Sequence, residues 1–217
     1  MLLSLNPKEL SKYVSNHLNF FDDSSSIKKN ELLESIEITL EKLTFCFDKI
    51  NIKYFNNGND SIFNHLNSDQ YAMFLYTLSN VIYKKDMKDN ISIATKIYLL
   101  NKTLHGIDIF YEINLPKIFI FIHPLGTVLG RANYSDYFAV YQRCGIGSNN
   151  DSYPKLGKYL TLHPGASVLG KSKIEDNCSI GTDSLVLDRN IKKNSIYIGN
   201  PMLNKILKKT NIDTIWK

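Results

Sequence analysis

Five histidines and three cysteines are the side chains of this 217-residue chain best suited to acid–base or nucleophilic chemistry, and their spacing limits what they can do. Cys46, Cys144 and Cys178 are odd in number and far apart, which argues against a disulfide framework and against a CxxC metal site. No two histidines stand about four residues apart, so the closely spaced pair of a zinc site is lacking and no metal is expected. His123 has distinctive surroundings. It heads the run Pro124-Leu125-Gly126-Thr127-Val128-Leu129-Gly130, and Asp108 precedes it by fifteen residues. Imidazole exchanges protons near neutral pH, so a histidine is the natural general base for an alcohol or amine that must lose a proton as it attacks. The plainer reading makes His123 a solvated corner residue and Asp108 a turn or cap. His17, His65 and His105 read as surface residues, and His163, beside Pro164, as an exposed corner.

The elements that must position these groups change character near residue 106. Upstream, Leu33, Ile36, Leu40, Leu43 and Phe47 draw one apolar stripe at helical spacing. Tyr71, Leu75, Leu78 and Ile82 draw a second, and Ile93, Ile97, Leu100 and Leu104 a third. With a weaker helix over 7–21, residues 1–105 read as a helical bundle, and the Asn-rich stretch Phe55 to Asp60 as a loop between helices.

Downstream the period becomes six. Ile122, Val128, Tyr134, Val140 and Ile146 begin the series. After a short insertion it resumes at Leu156 and runs through Leu162, Val168, Ile174, Ile180, Val186, Lys192 and Ile198. Tyr134 and Lys192 alone break the aliphatic rule. Four places further on, the residues are mostly small: Gly126, Ala132, Cys144, Ala166, Ser172, Cys178 and Ser184. One buried aliphatic and one buried small residue per hexad is what a narrow triangular prism of stacked parallel strands requires. Cys144 and Cys178 then become core filler rather than reactive thiols.

These residues resemble the hexapeptide-repeat acyltransferases with a left-handed parallel β-helix, and within them most nearly the serine acetyltransferases. The resemblance is carried by Gly106-Ile107-Asp108-Ile109, by Ile122 to Gly130, by Gly145-Ile146-Gly147, by Tyr153 to Gly157, by Gly165 to Gly170 and by Ile198-Gly199-Asn200-Pro201. It implies an α+β chain: a helical region (1–105), a left-handed β-helix (106–203) and a C-terminal tail (204–217). It further implies acetyl transfer from acetyl-CoA as co-substrate, with His123 as general base and Asp108 orienting its imidazole. Pro164, Ala166 and Thr182 would line the coenzyme track along the prism, joined by Gly147 and Ser148 at the edge of the insertion and by Lys205 near the phosphates. A homotrimer, or a multiple of one, with sites between subunits is the assembly the resemblance implies.

The acceptor is the open part of this reading. Serine acetyltransferases carry an acidic residue directly before the base and Arg-His-Pro in the insertion, where this chain has Ile122 and Ser152-Tyr153-Pro154. Burying a zwitterion without charged partners costs several kcal/mol. Ile122, Ser152 and Tyr153 are therefore expected to bind a sugar or other small hydroxyl acceptor, as in surface polysaccharide modification. The alternatives are serine O-acetylation in cysteine biosynthesis and N-acetylation of an amino sugar. With 43% hydrophobic and 22% charged residues and a net charge of +5 without basic clusters, the composition is that of an ordinary globular protein. It points to no nucleic-acid partner and no membrane span, and to a cytoplasmic location.

Overall fold

The computed structural model describes residues 1–21, 29–85 and 91–217. Four helices come first. Helix α1 (Pro7–Leu18) starts at a reciprocal cap: the Asn6 side chain accepts from the amides of Lys8 and Glu9, and the Glu9 carboxylate accepts from the amide of Asn6. Helices α2 (Lys29–Phe47), α3 (Ser68–Lys85) and α4 (Ile91–His105) follow. The predicted stripes are their buried faces, except that Leu32 takes the place of Leu33 and Leu104 is left exposed. Helix α3 exceeds its stripe. It is buried on every side from Gln70 to Ile82 because α2, α4 and the strand Phe119–Phe121 all pack on it. The stretch Phe55 to Asp60 is a loop, its turns closed by the side chains of Asn56 and Asn57, and it leads into Ile62–Phe63, which pairs in parallel with Leu2–Leu3.

Gly106 stops α4 with a φ of +62°, its amide bonded to the Lys102 carbonyl, a left-handed helix terminus that glycine accepts without strain. The chain then winds into a left-handed parallel β-helix with three faces, so the fold class is α+β. One face stacks Phe119–Phe121, Phe138–Val140, Thr161–Leu162, Cys178–Ile180 and Ser195–Gly199. The second stacks Val128–Leu129, Gly145–Gly147, Ser167–Leu169 and Leu185–Leu187, and the third Lys155–Leu156, Lys173–Ile174 and Asn190–Ile191. Asn204–Lys208 turns back antiparallel on Ser195–Gly199 and closes the first face.

The six-residue phase holds from Val140 to Val186 and slips by one at both ends. Leu129, not Val128, stacks on Ile146, and Phe121, not Ile122, stacks on Val140. At the other end Ile191 stacks on Ile174 and Tyr197 on Ile180, which leaves Lys192 and Ile198 exposed. The apparent exception at Lys192 is thus a coil one residue short, with Ile191 filling the core. Cys144 and Cys178 are buried as expected, their thiols directed at the carbonyls of His163 and Lys192.

Candidate active site

His123 follows the strand Phe119–Phe121 at a corner, with a φ of +50°. A non-glycine residue in that region is strained by about 1 kcal/mol or more and persists only where its surroundings hold it. What holds it is Asp69, in the first turn of α3. Asp69 Oδ1 accepts from the His123 amide at 3.0 Å, and Oδ2 lies 3.6 Å from His123 Nδ1. Asn67 fixes this helix start by accepting from the amides of Asp69 and Gln70. The rest of the imidazole is open to solvent, with the side chain 77% exposed against 14% for Asp69. Burial pushes the Asp69 carboxyl above its ordinary range, against the His123 amide, the His123 ring and the Ser68 hydroxyl, which act to lower it. Among the described residues, the His123 ring is the one group that forms an ion pair with this carboxylate.

Asp108 lies elsewhere in the network. It pairs with Val128 at the start of the solenoid, and its carboxylate accepts from Lys102 Nζ at 2.6 Å and from the Tyr98 hydroxyl at 2.8 Å, both on α4. Burial raises its pKa, but the Lys102 and Tyr98 hydrogen bonds and the Lys102 charge outweigh that and hold it below the usual carboxylate range. No hydrogen bond or ion pair joins Asp108 to His123 among the described residues.

Ile122 is half-buried, its amide bonded to the Val140 carbonyl. The insertion folds into a two-residue hairpin: Asn149 and Ser152 exchange both backbone hydrogen bonds across Asn150 and Asp151, whose φ values are +47° and +54°. Asn149 Nδ2 donates to Asp188 Oδ2 at 2.8 Å and ties the hairpin to the neighbouring coil. Ser152 is half-buried and Tyr153 exposed, and Gly147 and Ser148 lead into the turn.

Along the proposed coenzyme track, Thr182 is exposed and Pro164 half-buried, but Ala166 faces the prism interior and is fully buried, its amide bonded to the His163 carbonyl and its carbonyl to the Gly145 amide. Lys205 is exposed on the final antiparallel strand. His163 is half-buried rather than exposed and stacks on Tyr141, ring centroids 5.7 Å apart.

The three upstream histidines also depart from the surface reading. Tyr13 packs edge-on against His17 and His65, and Tyr71 against His105, which leans on Asn101 Oδ1 at 2.8 Å. Asp69 and this ring cluster went unseen in the sequence. The one available signal was Asn67-Ser68-Asp69 at a helix start, which marks a cap and says nothing of a partner 54 residues away.

No family model matches the chain. Among curated proteins it is similar to the serine acetyltransferase of Staphylococcus epidermidis strain RP62A, 27% identical over 137 residues, which is 60% of this chain and 64% of that protein. The serine acetyltransferase of Staphylococcus aureus strain N315 is 28% identical over 113 residues, 50% of this chain and 53% of the relative. The matches thus span less than two thirds of these relatives' length. Among solved structures, a serine acetyltransferase in complex with cysteine superposes with a TM-score of 0.72 at 16% identity, over 95% of this chain and 82% of that one. The serine acetyltransferase of Vibrio cholerae gives 0.71 at 18% identity, over 95% and 81%. One in complex with CoA gives 0.70 at 17%, over 94% and 86%. In sequence the chain is similar to these serine acetyltransferases, and it shares the fold of the solved ones.

Proposed function

We propose that this chain is an acetyl-CoA-dependent O-acetyltransferase whose acceptor is a small hydroxy amino acid, L-serine first. The observation that carries the acceptor is the buried Asp69 carboxylate against His123. The sequence argument for a sugar rested on Ile122 in place of an acidic residue and on Ser152 and Tyr153 in place of Arg and His, and α3 supplies an acidic residue from a distance. An ammonium placed between Asp69 and solvent would give that carboxylate a permanent cation, and would set the serine hydroxyl near the imidazole. The curated relatives support the same acceptor over a glycan. For the acceptor carboxylate, Arg143 is the candidate: it sits one coil above Gly126, and its only ion pair among the described residues is a 3.4 Å contact to Asp183 between two exposed side chains.

In the reaction His123 takes the hydroxyl proton as the serine oxygen bonds to the thioester carbonyl carbon. The carbon–sulfur bond then breaks and the imidazolium returns the proton to the departing thiolate. Acetyl-CoA would supply the activated acyl group, and Thr182, Pro164, Gly147, Ser148 and Lys205 would hold it, Ala166 acting only as core. The exposed apolar side chains Leu125 and Val128, within five residues of His123, support burial against a second copy and so a homotrimer. No helix among the described residues is long and apolar enough to cross a membrane, and a cytoplasmic site of action goes with the proposed substrates.

Thiol release from acetyl-CoA tests the proposal. With L-serine we expect a kcat/KM of about 10⁴ M⁻¹s⁻¹ or more, and His123→Ala should lower turnover by roughly 10²–10⁴-fold. Faster turnover with a hexose, a sialic acid or an amino sugar would restore the glycan reading, to which exposed Tyr153 offers a stacking face.

A further inference from the structure

Helix α2, helix α3 and the segment that joins the helical part to the first strand of the solenoid enclose a cleft of about 580 Å³, within the range of about 300–1,000 Å³ usual for small-molecule sites. It lies outside the acyl-transfer site described above, and its lining is sorted by depth and chemistry. Ile38, Leu43, Phe45, Leu115, Pro116 and Phe119 provide an apolar wall. The polar groups among them are already engaged. The Tyr76 hydroxyl donates to the Ile113 carbonyl at 2.7 Å, Asn80 Nδ2 to the Tyr111 and Ile113 carbonyls, the Thr77 hydroxyl to the Met73 carbonyl and the Cys46 thiol to the Phe119 carbonyl. None of these donors is left for a polar guest, so the inner surface favours an apolar one.

The rim is charged and unbalanced. Lys42, Lys84 and Lys117 line it against a single acidic side chain, Glu41, and no ion pair engages any of the three lysines among the described residues, while neighbouring Lys85 is bound to Glu34 at 2.8 Å. Partial burial and the nearby Lys42 charge both push the Lys84 ammonium below its ordinary pKa.

We propose that this cleft binds an anionic amphiphile: a carboxylate carrying an alkyl or aryl body, with the body against the apolar wall and the carboxylate between Lys42 and Lys84. Tyr76 and Asn80 anchor the segment leading to Phe119 and His123, and Asp69 stands on the same α3, so an occupant would bear on both partners of the site without touching either.

Calorimetric titration of the full-length protein with dodecanoate, below its micelle concentration, tests this. Saturable binding of one molecule per chain is expected. The double variant Lys42→Glu/Lys84→Glu, altered only at exposed positions, should bind about a hundredfold or more weakly, the size of two lost charge-assisted hydrogen bonds. Its circular dichroism and melting should stay unchanged. Dodecyltrimethylammonium, with the same tail and opposite charge, should give no saturable binding. No saturable dodecanoate binding, equal affinity in the variant, or equal affinity for the cationic amphiphile would each overturn the proposal.

Discussion

His105 closes α4 with its ring edge-on to Tyr71 and its Nδ1 against Asn101 Oδ1, and burial lowers its pKa from 6.5 to about 4 despite the opposing contribution of Asn101. The folded state holds the neutral ring more favourably than the unfolded chain does. The stabilisation is therefore complete above the unfolded pKa near 6.5 and is lost as the pH falls towards 4. Allowing for the ring edge left to solvent, the loss is about 2 kcal/mol at most. His17, also lowered by burial, acts in the same window, whereas the stabilisation from Asp108, whose pKa is depressed, is lost only as the pH falls below the ordinary carboxylate value of 3.8 towards its folded pKa. Melting temperature measured from pH 7.5 to 4.5 should fall less steeply in His105→Gln than in the native protein, and parallel curves would show that the ring does not report this burial. At the same scale, Asp69→Asn and Asp108→Asn separate two carboxylates that the sequence could not tell apart. Asp69→Asn should raise KM for L-serine about tenfold or more with a smaller change in KM for acetyl-CoA, since one charge-assisted contact is removed. If Asp108→Asn alone had that effect, the ammonium site would belong to Asp108. His123 was legible as a candidate base because a glycine-rich run follows it directly. Its partner was not, because Asp69 reaches His123 through the packing of α3 on the first coil, and no local spacing encodes a contact between separate elements.

The coils show where a periodic reading holds and where it slips. Between Val140 and Val186 the coils repeat without a change of phase, and every aliphatic position called from the hexads is buried. At the first and last coils the core is filled by Leu129 and Phe121, and by Ile191 and Tyr197, one residue from the phase. Next to Leu129, Phe121 and Tyr197 stand Val128, Ile122 and Ile198, equally apolar, so the pattern alone cannot choose between neighbours. Corner geometry was equally hidden. Tyr137, Tyr159, Asn177 and Asn194 all adopt φ between +53° and +66°, with Tyr137 and Tyr159 stacked 4.2 Å apart and Asn177 bonded to Asn194. These contacts hold the tyrosines in a conformation that sequence rules reserve for Gly and Asn. Close coil stacking yields a sharper prediction at Gly157. Its φ is not left-handed, but an added Cβ would lie 2.7 Å from the Glu175 carbonyl carbon and 2.8 Å from the Asp176 nitrogen. Backbone atoms of the next coil cannot move aside cheaply, so Gly157→Ala should cost about 1–3 kcal/mol and lower Tm by several degrees. An unchanged Tm would mean that the coils can separate locally.

Across the whole molecule the two halves are tied by the last residues of the chain, which the sequence presented as a lysine-rich tail. Lys209 is buried, its Nζ bonded to Ser179 Oγ and Asp213 Oδ2 at 2.8 Å each, and the Thr161 hydroxyl donates to the same carboxylate. This lysine is committed to the face of the solenoid and is not free to meet a phosphate. From there the chain crosses to the helical half. The Asn51 amide and side chain donate to the carbonyls of Ile215 and Thr214, the Lys217 amide donates to the Lys49 carbonyl, and Trp216 is buried against Tyr137, ring centroids 5.5 Å apart. The indole thus packs on a corner of the solenoid while its backbone pairs with Ile50 just after α2. Truncating it to Ala removes a buried aromatic and opens a cavity, a change that costs about 3–5 kcal/mol in well-packed sites. Among the described residues the Trp216 indole nitrogen has no hydrogen-bond partner, a cost that the variant relieves, so about 2–4 kcal/mol is the expected loss. Trp216→Phe should recover most of it, since it restores the ring without the unpaired N–H. Thermal unfolding of the three proteins decides the matter. If Trp216→Ala melts with the native protein, the tail lies on the surface without fastening it. If it melts lower and Trp216→Phe does not, the final turn of the chain is the clasp between helices and solenoid.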